Sequence, residues 1–118
     1  MNQHEKINYI ELPCRDFDAT KSFFEQVFNW QFKDYGPEYI AFSNAGIEGG
    51  FYKSKLKVST NSGSALIVFF STDLDSTLSK LMEAGGSLIK PIFDFPGGRR
   101  FHFADPSGNE YAVWSDQS

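Results

Sequence analysis

One pattern occurs twice in this chain. Asp16-Phe17-Asp18-Ala19-Thr20 returns 57 residues later as Asp73-Leu74-Asp75-Ser76-Thr77, and the match continues through Ser22/Ser79 and Phe24/Leu81. Each copy follows an apolar, strand-like run (Ile7 to Pro13; Ala65 to Phe70) and leads into a stretch of helical period. A unit of this size does not bury its own apolar face, so two copies must pack against each other. The junction between them is then the natural place for a binding cup.

Both copies read as βαβββ. Ile7 to Pro13 alternates, with Ile10 and Leu12 on one face and Tyr9 and Glu11 on the other, as a half-buried strand does. A helix over about Asp18 to Phe28 gathers Phe23, Phe24, Val27 and Phe28 on one stripe, and Asn29 can end it in a left-handed conformation. Short strands follow near Trp30 to Lys33, Tyr39 to Phe42 and Ile47 to Tyr52, with a Gly36-Pro37 turn between the first two. In the second copy Leu74, Leu78, Leu81 and Met82 form the helical stripe and Gly85-Gly86 ends it. Strands are expected near Ser87 to Pro91, Arg100 to Ala104 and Glu110 to Trp114. The expected organisation is one α+β domain of repeats 7–52 and 65–114, joined by a polar linker, 53–64. Its eight strands would curve around a cup with both helices outside.

Composition narrows the partners. At 118 residues there is room for one core and no second one. A net charge of −4 argues against nucleic acid, which needs a basic surface. No run of 18 apolar residues exists, so no membrane partner is expected, and Met-Asn-Gln-His-Glu-Lys lacks a signal peptide's apolar segment; a cytoplasmic location is the expectation. The lone cysteine, Cys14, cannot form an internal disulfide or a cysteine-cluster zinc site. Thirteen Phe, five Tyr and two Trp exceed what a core alone requires, leaving aromatics to line a pocket or a subunit interface.

Strand alternation picks out candidate site residues. In Arg100 to Ala104, Phe101 and Phe103 share one face while Arg100 and His102 share the other. In Glu110 to Trp114, Tyr111 and Val113 oppose Glu110, Ala112 and Trp114. The faces with Tyr9, Glu11, Arg100, His102, Glu110 and Trp114 either converge on a shared concavity or face solvent on an open sheet. Arg100, beside Arg99, suits a bidentate anion anchor, and the alternative is a solvated charge pair. Pro96-Gly97-Gly98 reads as a flexible loop at the rim. His102 is a hydrogen-bonded structural residue, a catalytic base oriented by Glu11 or Glu110, or, with Glu11, Glu48 or Glu110, part of an improvised metal site.

The run Ile7-Asn8-Tyr9-Ile10-Glu11-Leu12-Pro13, with Asp16 and Phe23-Phe24…Val27-Phe28-Asn29-Trp30, and the closing segment Phe103-Ala104-Asp105-Pro106-Ser107-Gly108-Asn109-Glu110, resemble the vicinal oxygen chelate superfamily. That superfamily includes glyoxalase I, extradiol dioxygenases, fosfomycin-modifying enzymes and bleomycin-binding proteins. The resemblance spans Ile7 to Trp114 and implies the paired βαβββ fold, but a fold does not fix a chemistry. It also implies a homodimer. The metal-dependent members carry a His, Gln or Glu on the first and last strands of each repeat. Here those positions are Tyr9, Gly50, Leu66 and Ala112, or Glu48 in place of Gly50 if that alignment slips by two. No metal or other cofactor is therefore expected. Three functions follow: a small-molecule binding protein without the usual metal site; a glyoxalase- or dioxygenase-like enzyme using other ligands, acting on a small, partly apolar anion; or a metal-independent lyase or isomerase with His102 as base and Arg100 stabilising an oxyanion.

Overall fold

Both copies of the repeat build the same unit. The computed structural model describes residues 2–117. The first unit comprises β1 (Tyr9–Cys14), α1 (Phe17–Phe28), β2 (Gln31–Asp34), β3 (Tyr39–Ser43) and β4 (Glu48–Lys53). The second comprises β5 (Ile67–Phe70), α2 (Leu74–Glu83), β6 (Ser87–Phe95), β7 (Gly98–Ala104) and β8 (Glu110–Ser115). The eight strands form two sheets of four, ordered β1-β4-β3-β2 and β5-β8-β7-β6. In each, the first and last strands of the unit pair in parallel and the rest antiparallel.

The repeated aspartates are helix caps. Asp16 accepts from the Ala19 N–H and Asp73 from the Ser76 N–H, each at 3.1 Å, satisfying a donor that has no intrahelical partner. Asn29 closes α1 at φ 59°, the left-handed conformation expected of it.

One core serves both units. Phe23, Phe24 and Leu81 are fully buried, so the predicted helical stripes do seal the sheets. Phe24 stacks on Trp30 and Phe51 of the first unit and meets Tyr111 of the second edge-on. Phe28 stacks on Phe69 at 4.2 Å. Thus α1 packs against both sheets, where the sequence suggested helices lying outside a single curved wall. The apolar faces of both sheets meet this core, and their opposite faces look away from it. Met82 is the exception among the predicted stripe residues, at 47% exposed.

The Asp105-Pro106-Ser107-Gly108-Asn109 turn joins the two units. The Asp105 carboxylate accepts from the N–H groups of Ser107 and Asn109 and from the Tyr111 hydroxyl. Burial raises the Asp105 pKa against the lowering effect of those bonds. The Ser107 hydroxyl accepts from the backbone N–H of Arg15 and Asp16. Asn109 donates to the Pro13 carbonyl at 2.6 Å and accepts from the Val58 N–H at 2.8 Å, which ties down the linker.

Two segments depart from expectation. β6 runs to Phe95, past Pro91; it is an edge strand with register shifts on both sides of Lys90, where a residue without an N–H is tolerated. Pro96-Gly97 is a tight hairpin turn closed by the Phe95–Gly98 pair, and not a flexible loop.

Candidate functional site

The outward face of the second sheet carries a buried polar chain in an aromatic setting. Alternation along β7 sends Phe101 and Phe103 into the core and leaves Arg100 and His102 on the other side. Strand register then sets Arg100 opposite Trp114 on β8 and Phe93 on β6, and His102 opposite Ala112 and Lys90.

Glu110 and His102 are 4% and 2% exposed, so each needs partners. The Glu110 carboxylate accepts from the Thr60 backbone N–H (2.8 Å) and from the Thr60 hydroxyl. Its Oε2 lies 2.7 Å from His102 Nδ1, and His102 Nε2 lies 2.8 Å from Arg100 Nη2. Arg100 can only donate, so Nε2 must accept and Nδ1 must carry the proton. His102 is thus a neutral imidazole whose lone pair is already engaged. Burial works to raise the Glu110 pKa, but the bonds from Thr60 and His102 outweigh it and hold the carboxyl below its ordinary range.

The chain ends at a guanidinium held by aromatics. Arg100 lies over the rings of Phe93 (5.6 Å) and Phe95 (5.9 Å), a cation–π arrangement that fixes its plane. Its Nε is buried and has no hydrogen-bond partner among the described residues. Trp114 meets Phe70 and Phe95 edge-on. Val68 and Phe70 on the same face are 43% and 51% exposed. Such a surface offers a planar cation next to apolar wall.

Of the six residues singled out from sequence, Arg100, His102 and Glu110 are in direct contact and Trp114 stands opposite Arg100. Tyr9 and Glu11 belong elsewhere, on the outward face of the first sheet. There the Tyr9 and Tyr39 hydroxyls are 2.6 Å apart, and the Tyr39 pKa is raised by burial and by hydrogen bonding to Tyr9 and Glu11. A cleft of about 760 Å³ lies on that face, lined by Tyr9, Lys33, Tyr35, Tyr39 and Glu48 among others. Sequence reading missed Thr60, Phe93, Phe95 and Tyr39. The i, i+2 spacing of Phe93 and Phe95 was a usable signal; Thr60, inside a polar linker, gave none.

Strand register also settles the alignment of the two last strands. Glu11 pairs with Gly50, and Val68, its counterpart 57 residues on, pairs with Ala112. Gly50 and Ala112 are therefore equivalent, and Glu48 matches Glu110. A Cβ at Gly50 would collide with the Tyr39 hydroxyl, so any longer side chain there requires the Tyr39 ring to move. Tyr9, Gly50, Leu66 and Ala112 offer one phenol between them and do not fit a divalent ion, which needs several converging N or O donors. Among the described residues no three His, Cys, Asp or Glu side chains cluster as a metal site. Nor, among them, is any helix long and apolar enough to cross a membrane.

The sequence model of the Glyoxalase/Bleomycin resistance protein/Dioxygenase superfamily matches residues 6–113. Proteins of Mycobacterium bovis and Mycobacterium tuberculosis, both provisionally named glyoxylase CFP32, are 25% identical over 118 residues covering 91% of the chain. The chain spans 44% of the length of these curated relatives. Among solved structures, a glyoxalase-related enzyme from Fulvimarina pelagi superposes with a TM-score of 0.77 at 20% identity, covering 94% of this chain and 88% of the other. The fosfomycin resistance protein FosX from Listeria monocytogenes gives 0.77 at 18% identity, covering 96% and 94%. TioX from Micromonospora sp. ML1 gives 0.69 at 18%, covering 94% and 98%. These structural likenesses concern the fold.

Proposed function

Because the chain belongs to the glyoxalase/bleomycin resistance protein/dioxygenase superfamily, we propose that it is a small-molecule binding protein without the usual metal site, taking a small, partly apolar anion on the outward face of the second sheet. The observation that carries this reading is the hydrogen-bonded chain Thr60–Glu110–His102–Arg100, which terminates in a cation lying over the rings of Phe93 and Phe95. Three roles follow. Arg100 binds the anion, since a guanidinium presents a planar donor fork to a carboxylate. His102 holds Arg100 in place, its Nε2 lone pair being engaged. Glu110 fixes the His102 tautomer.

The other reading, an enzyme acting on such an anion, is favoured by the names of the curated relatives. It requires His102 to release Arg100 before it could act as a base. The metal positions give it no support.

Benzoate tests the proposal. The chain has two tryptophans, Trp30 in the core and Trp114 on the proposed face. In a titration of the 15N-labelled protein, benzoate should shift the Trp114 indole N–H and leave that of Trp30 in place. Shifts confined to residues of the first sheet, such as Tyr9 and Tyr39, would move the ligand elsewhere.

We also propose that the chain acts as a homodimer. The outward faces expose Val68, Phe70 and Phe93 on one sheet and Tyr9 and Tyr52 on the other. The first carries Lys90 and Arg100, the second Glu11 and Glu48 with Lys33 beside them, so a second copy supplies apolar cover and carboxylates to meet the cations. Light scattering at micromolar concentration should give twice the 13.3 kDa of the chain; a mass near 13.3 kDa would refute the dimer.

A further inference from the structure

The residue at the start of the polar chain lies in neither repeat. Thr60 opens a single 3-10 turn, Thr60–Ser62, in the linker between the two units. It is itself exposed, yet it reaches a buried carboxylate with two donors: its backbone N–H at 2.8 Å and its hydroxyl at 3.0 and 3.1 Å from the two oxygens. The linker is held on that side, since Val58 accepts from the Glu110 N–H and donates to Asn109.

We propose that Thr60 is a positioning residue of the anion site: through Glu110 and His102 it fixes the orientation of Arg100, so that the linker tunes the affinity set by the second sheet. The inference rests on the reading of Arg100 as the anion anchor. The physical path is short. A carboxylate accepting two bonds from Thr60 is fixed in plane, with Oε2 presented to His102 Nδ1 at 2.7 Å. That bond holds the proton on Nδ1 and leaves Nε2 bare to accept from Arg100. Without the Thr60 hydroxyl, Glu110 keeps one bond from the linker and can rotate. Then Nδ1 loses its fixed acceptor, Nε2 becomes protonated in part of the population, and an Nε2–H faces the Arg100 donor. The guanidinium must then turn away, and its plane is no longer preset for a bidentate ligand.

Thr60→Val removes the hydroxyl and keeps both the backbone N–H and the side-chain volume, at an exposed position where folding is little affected. Thr60→Ser restores the hydroxyl. Two readouts separate the claims. The first needs no ligand: 15N chemical shifts of the His102 ring, readily assigned because His4 is the only other histidine. Wild type and Thr60→Ser should show the Nδ1–H tautomer, and Thr60→Val a mixture with Nε2–H. The second is benzoate affinity, which should fall about three- to tenfold in Thr60→Val, the effect of one lost hydrogen bond, and recover in Thr60→Ser. An unchanged tautomer in Thr60→Val, or benzoate affinity equal to wild type, overturns the role of Thr60. Wild-type protein that binds benzoate no better than neutral benzamide overturns instead the anchor reading on which it rests, whatever the tautomer does.

Discussion

Phe24→Ala is expected to lower the free energy of unfolding by about 3–5 kcal/mol, a large part of the roughly 5–15 kcal/mol that holds a domain of this kind together. Phe24 is fully buried on α1 and its ring touches Phe23, Phe28, Trp30, Phe51 and Tyr111, which come from both units. Truncation removes the buried ring and opens a cavity between two sheets that cannot close on it without moving α1. Met82→Ala provides the contrast. Met82 is 47% exposed on α2, away from both outward sheet faces, so its loss should cost about 0.5 kcal/mol or less. Urea denaturation followed by circular dichroism checks both, with a much lower midpoint for Phe24→Ala and nearly the wild-type midpoint for Met82→Ala. Equal effects would mean that α1 is not the shared core of the two units.

The fold was legible because its two signals are local. The Asp-x-x-x-Thr repeat sits where a helix needs an N-cap, and both aspartates cap helices with the same geometry. Phe101 and Phe103 against Arg100 and His102 was a period-2 pattern, and β7 obeys it. What the pattern does not contain is the direction in which each sheet turns its outward face. That depends on α1 packing against both sheets through Phe24 and Phe28, a long-range arrangement with no sequence period. Tyr9 and Glu11 were therefore grouped with Arg100 and His102, from which their sheet separates them. Thr60 was out of reach for a similar reason: a threonine in a polar linker looks the same whether or not a buried carboxylate lies within 3 Å of it. The Gly50 position could be aligned from the Gly46-Ile47-Glu48 and Gly108-Asn109-Glu110 segments alone. Only the pairing of Glu11 with Gly50 and Val68 with Ala112 fixed the register.

The proposed anion site stands or falls with Arg100. Its guanidinium already gives one donor to His102 and lies against Phe93 and Phe95, so it is preset and loses little freedom when a carboxylate arrives. A charge-assisted pair of this type contributes about 1.5–3 kcal/mol, roughly ten- to a hundredfold in affinity. Arg100→Lys keeps the charge but not the planar fork, and should fall between wild type and alanine. Arg100→Ala removes both, while leaving the aromatic wall of Phe70, Phe93, Phe95 and Trp114 for the apolar part of a ligand. The decisive measurement is calorimetric titration of wild type and Arg100→Ala with benzoate and with benzamide, which differ in charge and hardly in shape. The expected result is a ten- to hundredfold loss for benzoate and almost none for benzamide. Equal losses for the two ligands, or no loss for benzoate, would contradict an anion site built on Arg100.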